Sequence, residues 1–297
     1  MTDLRKLLLC LLSVLLFSAC TYRFYPSECE KALAGKLIKH TLLDTVLSEN
    51  SGLLWMDGYF WTFNDSGGEP ALYKVDPDQG SVIRKTVVRN ALNVDWEDIA
   101  MDASHVYVAD VGNNFNLRDT LVIYRLSRSS LLTGKPEIDY TDLITLSFND
   151  TLRLSPQGFS SLDCEALLVH HDSLYLFTKD WVEKSTSVYV FPATPGHHHL
   201  QARYRYEVRF LVTGADYDPE KKEVALLGYR NYMPVVVKYT YLDNPGSISC
   251  GGRARYYPLR AGRQVEGICF DQDGNLYISS EKSLLNPVLF RVGKREP

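Results

Sequence analysis

Three glutamates recur at the same place in a repeated motif of this chain. Each stands second in a five-residue segment that begins a strand-like run, and they are Glu97, Glu165 and Glu266. Carboxylate oxygens are the ligands that a hard cation such as Ca²⁺ prefers. Three glutamates around one axis would also raise one another's pKa unless a cation or a basic group lay between them. These residues are therefore candidate ligands of Ca²⁺.

An architectural role would explain the same recurrence. Each glutamate could accept hydrogen bonds from nearby backbone, or pair with Lys179, Arg230 or Lys282, and so fix one repeat against the next. Recurrence at an equivalent position in a repeat serves structure as well as function. The sequence leaves both interpretations open.

Polar residues also collect where the second strand of each repeat ends. Two loops, at 64–68 and 110–114, combine Asp and Asn oxygens with glycines that allow close backbone approach to a ligand or ion. The same residues make ordinary turns, which is the simpler interpretation of either loop alone. The candidate ligand-binding residues at these strand ends are Asp65, Asp110, Asn113, Lys179, Arg230 and Glu281.

The histidines do not supply a catalytic base at these positions. They are His40, His105, His170, His171 and the run at 197–199. None falls at a predicted strand start, so a Ser-His-Asp triad lacks its histidine, and no GxSxG or Walker motif is present. The triple histidine follows Pro195-Gly196, and we expect it in a solvated surface loop.

The elements that must position these residues form a repeat. Five segments share an inner strand and a second strand, and the separations between matching positions in the two strands are 10, 10, 10, 12 and 11 residues. A third strand follows in each segment, and a fourth is predicted at 82–88, 138–148, 204–210 and 253–259. Short strands repeated every 46 to 68 residues indicate an all-β chain folded as a β-propeller.

Five blades are predicted within a single propeller domain at 37–297. The fifth segment ends without a fourth strand, and we expect the N-terminal strand at 37–43 to supply it. Such closure ties the ring and removes an exposed edge. The long interval between Glu97 and Glu165 leaves a sixth blade as the alternative.

The start of the chain predicts export and lipidation. A basic head, Arg5-Lys6, precedes an apolar run at 7–17 and then Ser18-Ala19-Cys20. Residues 1–19 are predicted as a lipoprotein signal peptide, Cys20 as the lipid-carrying N-terminus, and 20–36 as a tether to the membrane. An ordinary signal peptide that leaves a soluble protein is the alternative.

The predicted location is the bacterial cell envelope, anchored to the outer membrane. The residues after Cys20 lack the acidic run that resembles a surface-export signal, which favours a position facing the periplasm. With 36 acidic and 32 basic residues and a net charge of −4, the chain has no electrostatic footprint for nucleic acid.

The cysteines divide into two pairs. Cys164 and Cys269 lie in apolar strand-like runs and are expected to be buried. Cys29 and Cys250 lie in less regular segments and could form a disulfide in an exported protein. No cysteine or histidine spacing matches a structural zinc site.

Several motifs resemble those of a group of largely uncharacterised bacterial secreted propellers. They are Glu-x-Ser-Gly-Leu at 49–53, Asn-Asp-Ser-Gly-Gly at 64–68, Asn-Val-Asp-Trp-Glu-Asp-Ile-Ala at 93–100 and Asp-Val-Gly-Asn-Asn at 110–114. More loosely, the group is similar to esterase-like phytase domains and other calcium-binding propellers. The resemblance implies a cation in the central channel near Glu97, Glu165 and Glu266. It implies no activity, because a fold does not determine a function.

These observations favour a binding role. We expect a lipid-anchored envelope module that binds a small molecule or an envelope protein, with Ca²⁺ in a carboxylate-lined channel. A Ca²⁺-dependent hydrolase of phosphoesters or other esters is the alternative, in which the metal would polarise the substrate and activate water. A purely structural lipoprotein is the third hypothesis. Binding is preferred because no general base is obvious.

Overall fold

The computed structural model describes residues 23–24, 36–241, 243–249, 255–258, 264–282 and 284–293. The predicted signal peptide, Cys20, Cys29 and Cys250 lie outside these residues, so lipidation and the disulfide stay predictions. Within the described ranges, no helix is long and apolar enough to cross a membrane.

The described part of the chain consists of strands and one short helix. The first twelve strands are β1 (Arg23–Phe24), β2 (Lys36–Leu42), β3 (Asn50–Met56), β4 (Tyr59–Asn64), β5 (Ala71–Val75), β6 (Val82–Arg89), β7 (Trp96–Met101), β8 (His105–Asp110), β9 (Leu121–Ser127), β10 (Glu137–Asp139), β11 (Asp142–Phe148) and β12 (Cys164–His170). The others are β13 (Ser173–Thr178), β14 (Thr186–Pro192), β15 (Gly196–Leu200), β16 (Tyr204–Tyr206), β17 (Leu211–Asp218), β18 (Glu223–Arg230), β19 (Met233–Tyr241), β20 (Ile248–Ser249), β21 (Arg255–Pro258), β22 (Val265–Phe270), β23 (Leu276–Ser280) and β24 (Val288–Gly293). The helix α1 spans Arg128–Leu132.

The strands form five sheets, each a blade of one ring. From the inside outwards, blade 1 is β3-β4-β5-β6-β10, blade 2 is β7-β8-β9-β11-β15, blade 3 is β12-β13-β14-β16-β1, blade 4 is β17-β18-β19 with β20 and β21 both on β19, and blade 5 is β22-β23-β24-β2. Each innermost strand contacts the next, and β22 contacts β3. The ring therefore closes with five blades, and the chain is a five-bladed β-propeller as the repeat predicts.

The N-terminal strand closes the last blade as predicted. β2 pairs antiparallel with β24, with Leu37 opposite Val292. The predicted burial of Cys164 and Cys269 is confirmed as well, and both carry free thiols. Three blades also have a fifth, parallel strand at the outer edge that the sequence analysis did not predict, since β10 pairs with β6, β15 with β11, and β1 with β16.

Three predicted elements are wrong in detail. The strand predicted at 204–210 ends at Tyr206, as β16. The strand predicted at 138–148 divides, because the chain turns at Thr141, whose N–H and hydroxyl both donate to the carbonyl of Arg125. Residues before the turn form β10 on blade 1, and those after it form β11 on blade 2. The histidine run at 197–199 belongs to strand β15 rather than to a loop, because its backbone pairs with β11.

The hydrophobic core lies between the blades. Trp96 at the start of β7 is fully buried, and its ring meets that of Phe63 on blade 1 edge-to-face, with centroids 5.4 Å apart. Its indole N–H donates to the carbonyl of Leu92 at 2.8 Å. Burying this large ring stabilises the contact between blades 1 and 2 and fixes the start of β7.

Replacing this ring tests the packing between the blades. Trp96→Ala is expected to lower the free energy of unfolding by about 3 to 5 kcal/mol, because it leaves a cavity and an unpaired carbonyl. Chemical denaturation measures the loss, and Phe115→Ala is the control because Phe115 is 53% exposed. An equal loss in the two variants would show that the interface between blades 1 and 2 does not hold the ring together.

Candidate functional site

A β-bulge interrupts the beginning of every innermost strand. The residue that falls in the bulge, between two residues that pair normally, is Gly52 in blade 1, Glu97 in blade 2, Glu165 in blade 3, Thr213 in blade 4 and Glu266 in blade 5. A bulge redirects the extra side chain away from the regular alternation of the strand. The three predicted glutamates are therefore equivalent in position, and all three are buried.

The ends of the second strands meet these bulges because the two strands are antiparallel. Asp65 directly follows β4, Lys179 follows β13 and Glu281 follows β23. Backbone bonds join the ends to the neighbouring strand starts, since Asp65 N–H donates to Glu49 and Glu281 N–H donates to Gln264. One end of the channel thus collects side chains from several blades.

Two groups of carboxyl groups form at this end. The ligand oxygens of Asp65, Asp95 and Glu97 lie within 4.8 Å of one another, and so do those of Asp65, Glu266 and Glu281. Asp65 belongs to both groups and joins them. We call these five residues the acidic mouth.

Lys179 brings one positive charge to the same end. Its ammonium donates to Oε1 of buried Glu165 at 2.6 Å and lies 5.0 Å from the centroid of the Trp181 ring. Burial alone would lower the pKa of Lys179, but the charges of Glu165 and Asp163 outweigh burial and raise it. Of the three predicted metal ligands, Glu165 therefore forms an ion pair, as the architectural alternative expects, whereas Glu97 and Glu266 belong to the acidic mouth.

Burial and like charges change the titration of the first group. Burial raises the pKa of Glu97 well above its usual range, and the charges of Glu165 and Asp65 raise it further. Burial also raises the pKa of Asp65 to about 7, with added contributions from Glu266 and Asp95. These carboxyl groups are hard to ionise together without a cation.

Burial and like charges raise a pKa in the second group as well. Burial raises the pKa of Glu281 to about 9, and both the charge of Glu266 and a hydrogen bond to it add to the shift. Gln264 donates through Nε2 to Glu266 at 3.2 Å and to Glu281 at 3.4 Å, which holds the two carboxyl groups side by side. Burial, and then the charge of Asp163, raises the pKa of Asp95 to about 6.

Three other predicted ligand residues have different partners. Asp110 accepts hydrogen bonds from the backbone N–H groups of residues 94 and 95 and forms an ion pair with Arg118 at 2.7 Å. Asn113 closes its own loop through Nδ2 and Oδ1 bonds to the backbone of Arg118. Arg230 donates through Nε to the carbonyl of Arg209 at 3.2 Å. The contacts of Asp110 and Asn113 shape the loop beside the mouth.

Two observations fit a cation at the acidic mouth. A Cβ atom on Gly112 would lie 2.1 Å from Oδ2 of Asp95 and 2.3 Å from Oε1 of Glu97, so only glycine lets the chain pass beside both carboxyl groups. Thr213, at the bulge of blade 4, is buried, and its hydroxyl has no hydrogen-bond partner among the described residues. Carboxylates, with a hydroxyl at the equivalent bulge position of blade 4, are oxygen donors of the kind that Ca²⁺ takes.

Asp95 and Gln264 were not predicted as ligands. Asp95 stands two residues before Glu97, and Gln264 stands two residues before Glu266. The same offset in two blades is a signal that the sequence contained.

Towards the other end of the channel, two buried acids accept hydrogen bonds from backbone N–H groups. Asp98 accepts a hydrogen bond from the Leu167 N–H at 2.8 Å, and Asp216 accepts one from the Phe270 N–H at 2.7 Å. A cavity of about 360 Å³ opens at this end, lined by the ends of the innermost strands of all five blades. Burial raises the pKa of Asp98 well above its usual range and that of Asp216 to about 7, although backbone N–H groups of neighbouring blades donate to both. Their hydrogen bonds join neighbouring blades of the ring.

Comparison with known proteins gives likeness of fold only. No family model and no curated protein sequence matches the chain, so the resemblance to secreted propellers stays a prediction. Similar solved structures include the PQQ-bound aldose sugar dehydrogenase of Streptomyces coelicolor, 12% identical over 88% of this chain and 98% of that one, with a TM-score of 0.45. The WD40 domain of Toxoplasma gondii coronin is 11% identical over 90% and 87%, with a TM-score of 0.43. A 6-phosphogluconolactonase-like protein of Bacteroides fragilis is 10% identical over 82% and 85%, with a TM-score of 0.40.

The raised pKa values predict how stability depends on pH in the absence of metal. Because folded carboxyl groups hold protons that the unfolded chain releases near pH 4, the free energy of unfolding is expected to fall as pH rises above about 4. From about pH 7 to about pH 9 the fall is expected from the groups with the highest pKa values, which include Glu281, Glu97 and Asp98. This window lies above the range in which histidines titrate. Thermal unfolding in chelator measures the slope.

Glu281→Gln should flatten this slope, since the pKa of Glu281 is raised to about 9. The control is Glu137→Gln on exposed strand β10. A stability that stays constant or rises over the window in the unsubstituted protein would contradict the raised pKa values.

Proposed function

We propose that the chain is a ligand-binding module that holds Ca²⁺ at the acidic mouth and binds its ligand there. The observation that carries the proposal is that two groups of three carboxyl side chains lie at the mouth and have Asp65 in common. The bound cation would supply positive charge to the buried carboxylates and leave coordination positions for oxygen atoms of a ligand.

The charge balance of the mouth supports a bound cation. Two basic side chains at this end already have partners, since Lys179 pairs with Glu165 and Arg118 pairs with Asp110. Burial first, and then negative charge that these pairs do not fully balance, raises the pKa values of Asp65 and Glu281. A divalent ion would remove this repulsion, and the oxygens of Asp65, Asp95 and Glu97 are close enough together to share one ion.

Binding is a better proposal than hydrolysis because the mouth has no histidine to move a proton. His105 begins β8 and His170 ends β12. Both therefore lie at the end of the blades opposite the acidic mouth, which is at the starts of the innermost strands. The other histidines belong to strand β2, to the turn after β12 and to outer strand β15. A general base would have to be one of the carboxyl groups that the proposal assigns to the cation.

The proposal includes an envelope location. Cys20 would carry the lipid and attach the propeller to the outer membrane on the periplasmic side, as the Ser18-Ala19-Cys20 sequence indicates. The ligand would then be a small molecule or an envelope protein within reach of the membrane surface.

Ca²⁺ is expected to stabilise the protein against heat. At about a hundredfold excess over its Kd, a ligand that binds only the folded state adds about 2.7 kcal/mol, which for a domain of this size raises the Tm by about 5 °C or more. Differential scanning calorimetry with Ca²⁺ and with chelator measures the shift in the full-length protein.

Asp65→Asn is expected to abolish the shift because Asp65 belongs to both carboxyl groups. Glu137→Gln, at an exposed position on blade 1, should keep it. An unchanged Tm of the unsubstituted protein at millimolar Ca²⁺ would remove the proposed metal site, and an equal shift in Asp65→Asn would place the site elsewhere.

The lipid anchor has a separate test. Cys20→Ala is expected to prevent acylation, so the protein should leave the membrane fraction for the soluble fraction, whereas Cys10→Ala, within the apolar run, should leave the protein in the membrane. Fractionation with mass spectrometry of the N-terminal peptide measures both. A Cys20→Ala protein that remains membrane-bound, or an unmodified N-terminal cysteine, would contradict the anchor.

A further inference from the structure

Two histidines share one face of the outermost strand of blade 2. β15 runs parallel to β11 with Thr145 opposite His197 and Ser147 opposite His199. Side chains two residues apart on a strand point to the same side. The four residues therefore form a square on one face of this two-stranded edge, and both histidines are exposed.

The middle histidine of the run points the other way. His198 is half-buried, its ring packs against Phe191 with centroids 5.6 Å apart, and its Nε2 lies 3.0 Å from the carbonyl oxygen of Thr194. The alternation of the strand thus separates one histidine of the run from the other two. This gives the run an internal control.

Hydroxyl groups orient the two exposed rings. Nδ1 of His199 lies 2.8 Å from the hydroxyl of Ser147, which directs Nε2 away from the sheet. The ring of His197 lies between two hydroxyls, with Nδ1 2.9 Å from Thr145 and Nε2 3.0 Å from Ser147. Histidine ligands in metal sites are oriented by an oxygen partner on the imidazole nitrogen that does not bind the metal, and the two hydroxyls can fill that role here.

We propose that His197 and His199 bind a transition-metal ion of the zinc and copper class. Their ring centroids are 4.5 Å apart. Two nitrogens on one tetrahedral ion are about 3.4 Å apart, a separation that these rings reach by rotating their side chains. His199 binds through Nε2, and His197 exchanges one of its hydroxyl contacts for the metal. Two protein ligands leave further positions for water or for a donor from another molecule.

This site differs in chemistry and position from the acidic mouth. Neutral imidazole suits zinc, copper and nickel, whereas carboxylates suit calcium. The histidines lie at the outer edge of blade 2, and the mouth lies at the channel. The histidine site therefore neither depends on the proposed Ca²⁺ site nor competes with it.

The test uses the full-length protein purified without a polyhistidine tag. Isothermal titration with Cu²⁺ and with Zn²⁺, in buffer that contains millimolar Ca²⁺, is expected to give one ion per chain and tighter binding of Cu²⁺. His197→Ala and His199→Ala should each weaken binding at least about tenfold, and Ser147→Ala should weaken it about tenfold through loss of the orienting hydroxyl. His198→Ala should bind within about twofold of the unsubstituted protein, because its ring faces the other side of the strand.

The four substitutions are on or beside an exposed edge, and thermal unfolding checks that each variant is folded. Binding in the His197→Ala, His199→Ala double variant that equals that of the unsubstituted protein would overturn the proposal. A loss in His198→Ala as large as that in His199→Ala would overturn it too, since the site would then be an unordered histidine run. Asp65→Asn should leave metal binding at the histidines unchanged. A failure of the histidine proposal is therefore distinguishable from a failure of the proposed Ca²⁺ site.

Discussion

The burial or half-burial of five carboxyl groups beside one another at the acidic mouth is the constraint on which the other features of the site depend. A bulge at the start of each innermost strand brings Glu97, Glu165 and Glu266 to one end of the channel, where the blades exclude water. Desolvation disfavours the charged form of an acid, and nearby like charges add to that effect. The fold therefore gathers negative charge at a place where charge is costly, which is the physical reason for proposing a bound cation.

The two ends of the channel separate structural acids from candidate functional acids. Asp98 and Asp216 each receive a backbone N–H from the next blade, so their burial contributes to the ring. Asp65 and Glu281 instead face other carboxyl groups, and Lys179 is already paired with Glu165. Burial of an acid does not by itself indicate a ligand-binding site. A stronger indication is that its neighbours are other carboxyl groups rather than hydrogen-bond donors.

The sequence was sufficient for the architecture because propeller repeats are local. The nearly constant spacing between the first two strands of each blade predicted five blades, and the incomplete fifth repeat predicted that 37–43 would close the ring. The outer strands β10 and β15 could not be predicted in the same way. Each pairs in parallel with a strand about 50 residues earlier, and no local pattern specifies such a partner.

The placement of the candidate site residues was predicted in part. The positions of the strand ends correctly predicted that Asp65 and Glu281 would lie beside glutamates of the innermost strands. Residue type alone could not show that Asp110 and Asn113 would form hydrogen bonds within their own loop. Their role depends on Arg118, whose side chain and backbone meet both residues. Asp95 was not among the predicted ligands although it stands two residues before Glu97, because residue type alone could not show that its carboxyl group would meet that of Asp65.

Proton release on metal binding tests the central claim most directly. Isothermal titration of Ca²⁺ into the full-length protein at about pH 7, in two buffers with different ionisation enthalpies, counts the protons that the metal displaces from the mouth. Since the pKa of Glu281 is raised to about 9 and that of Glu97 is raised well above its usual range, the account predicts the release of about one proton or more per ion. Equal heats in the two buffers, which mean that no proton is released, would contradict it.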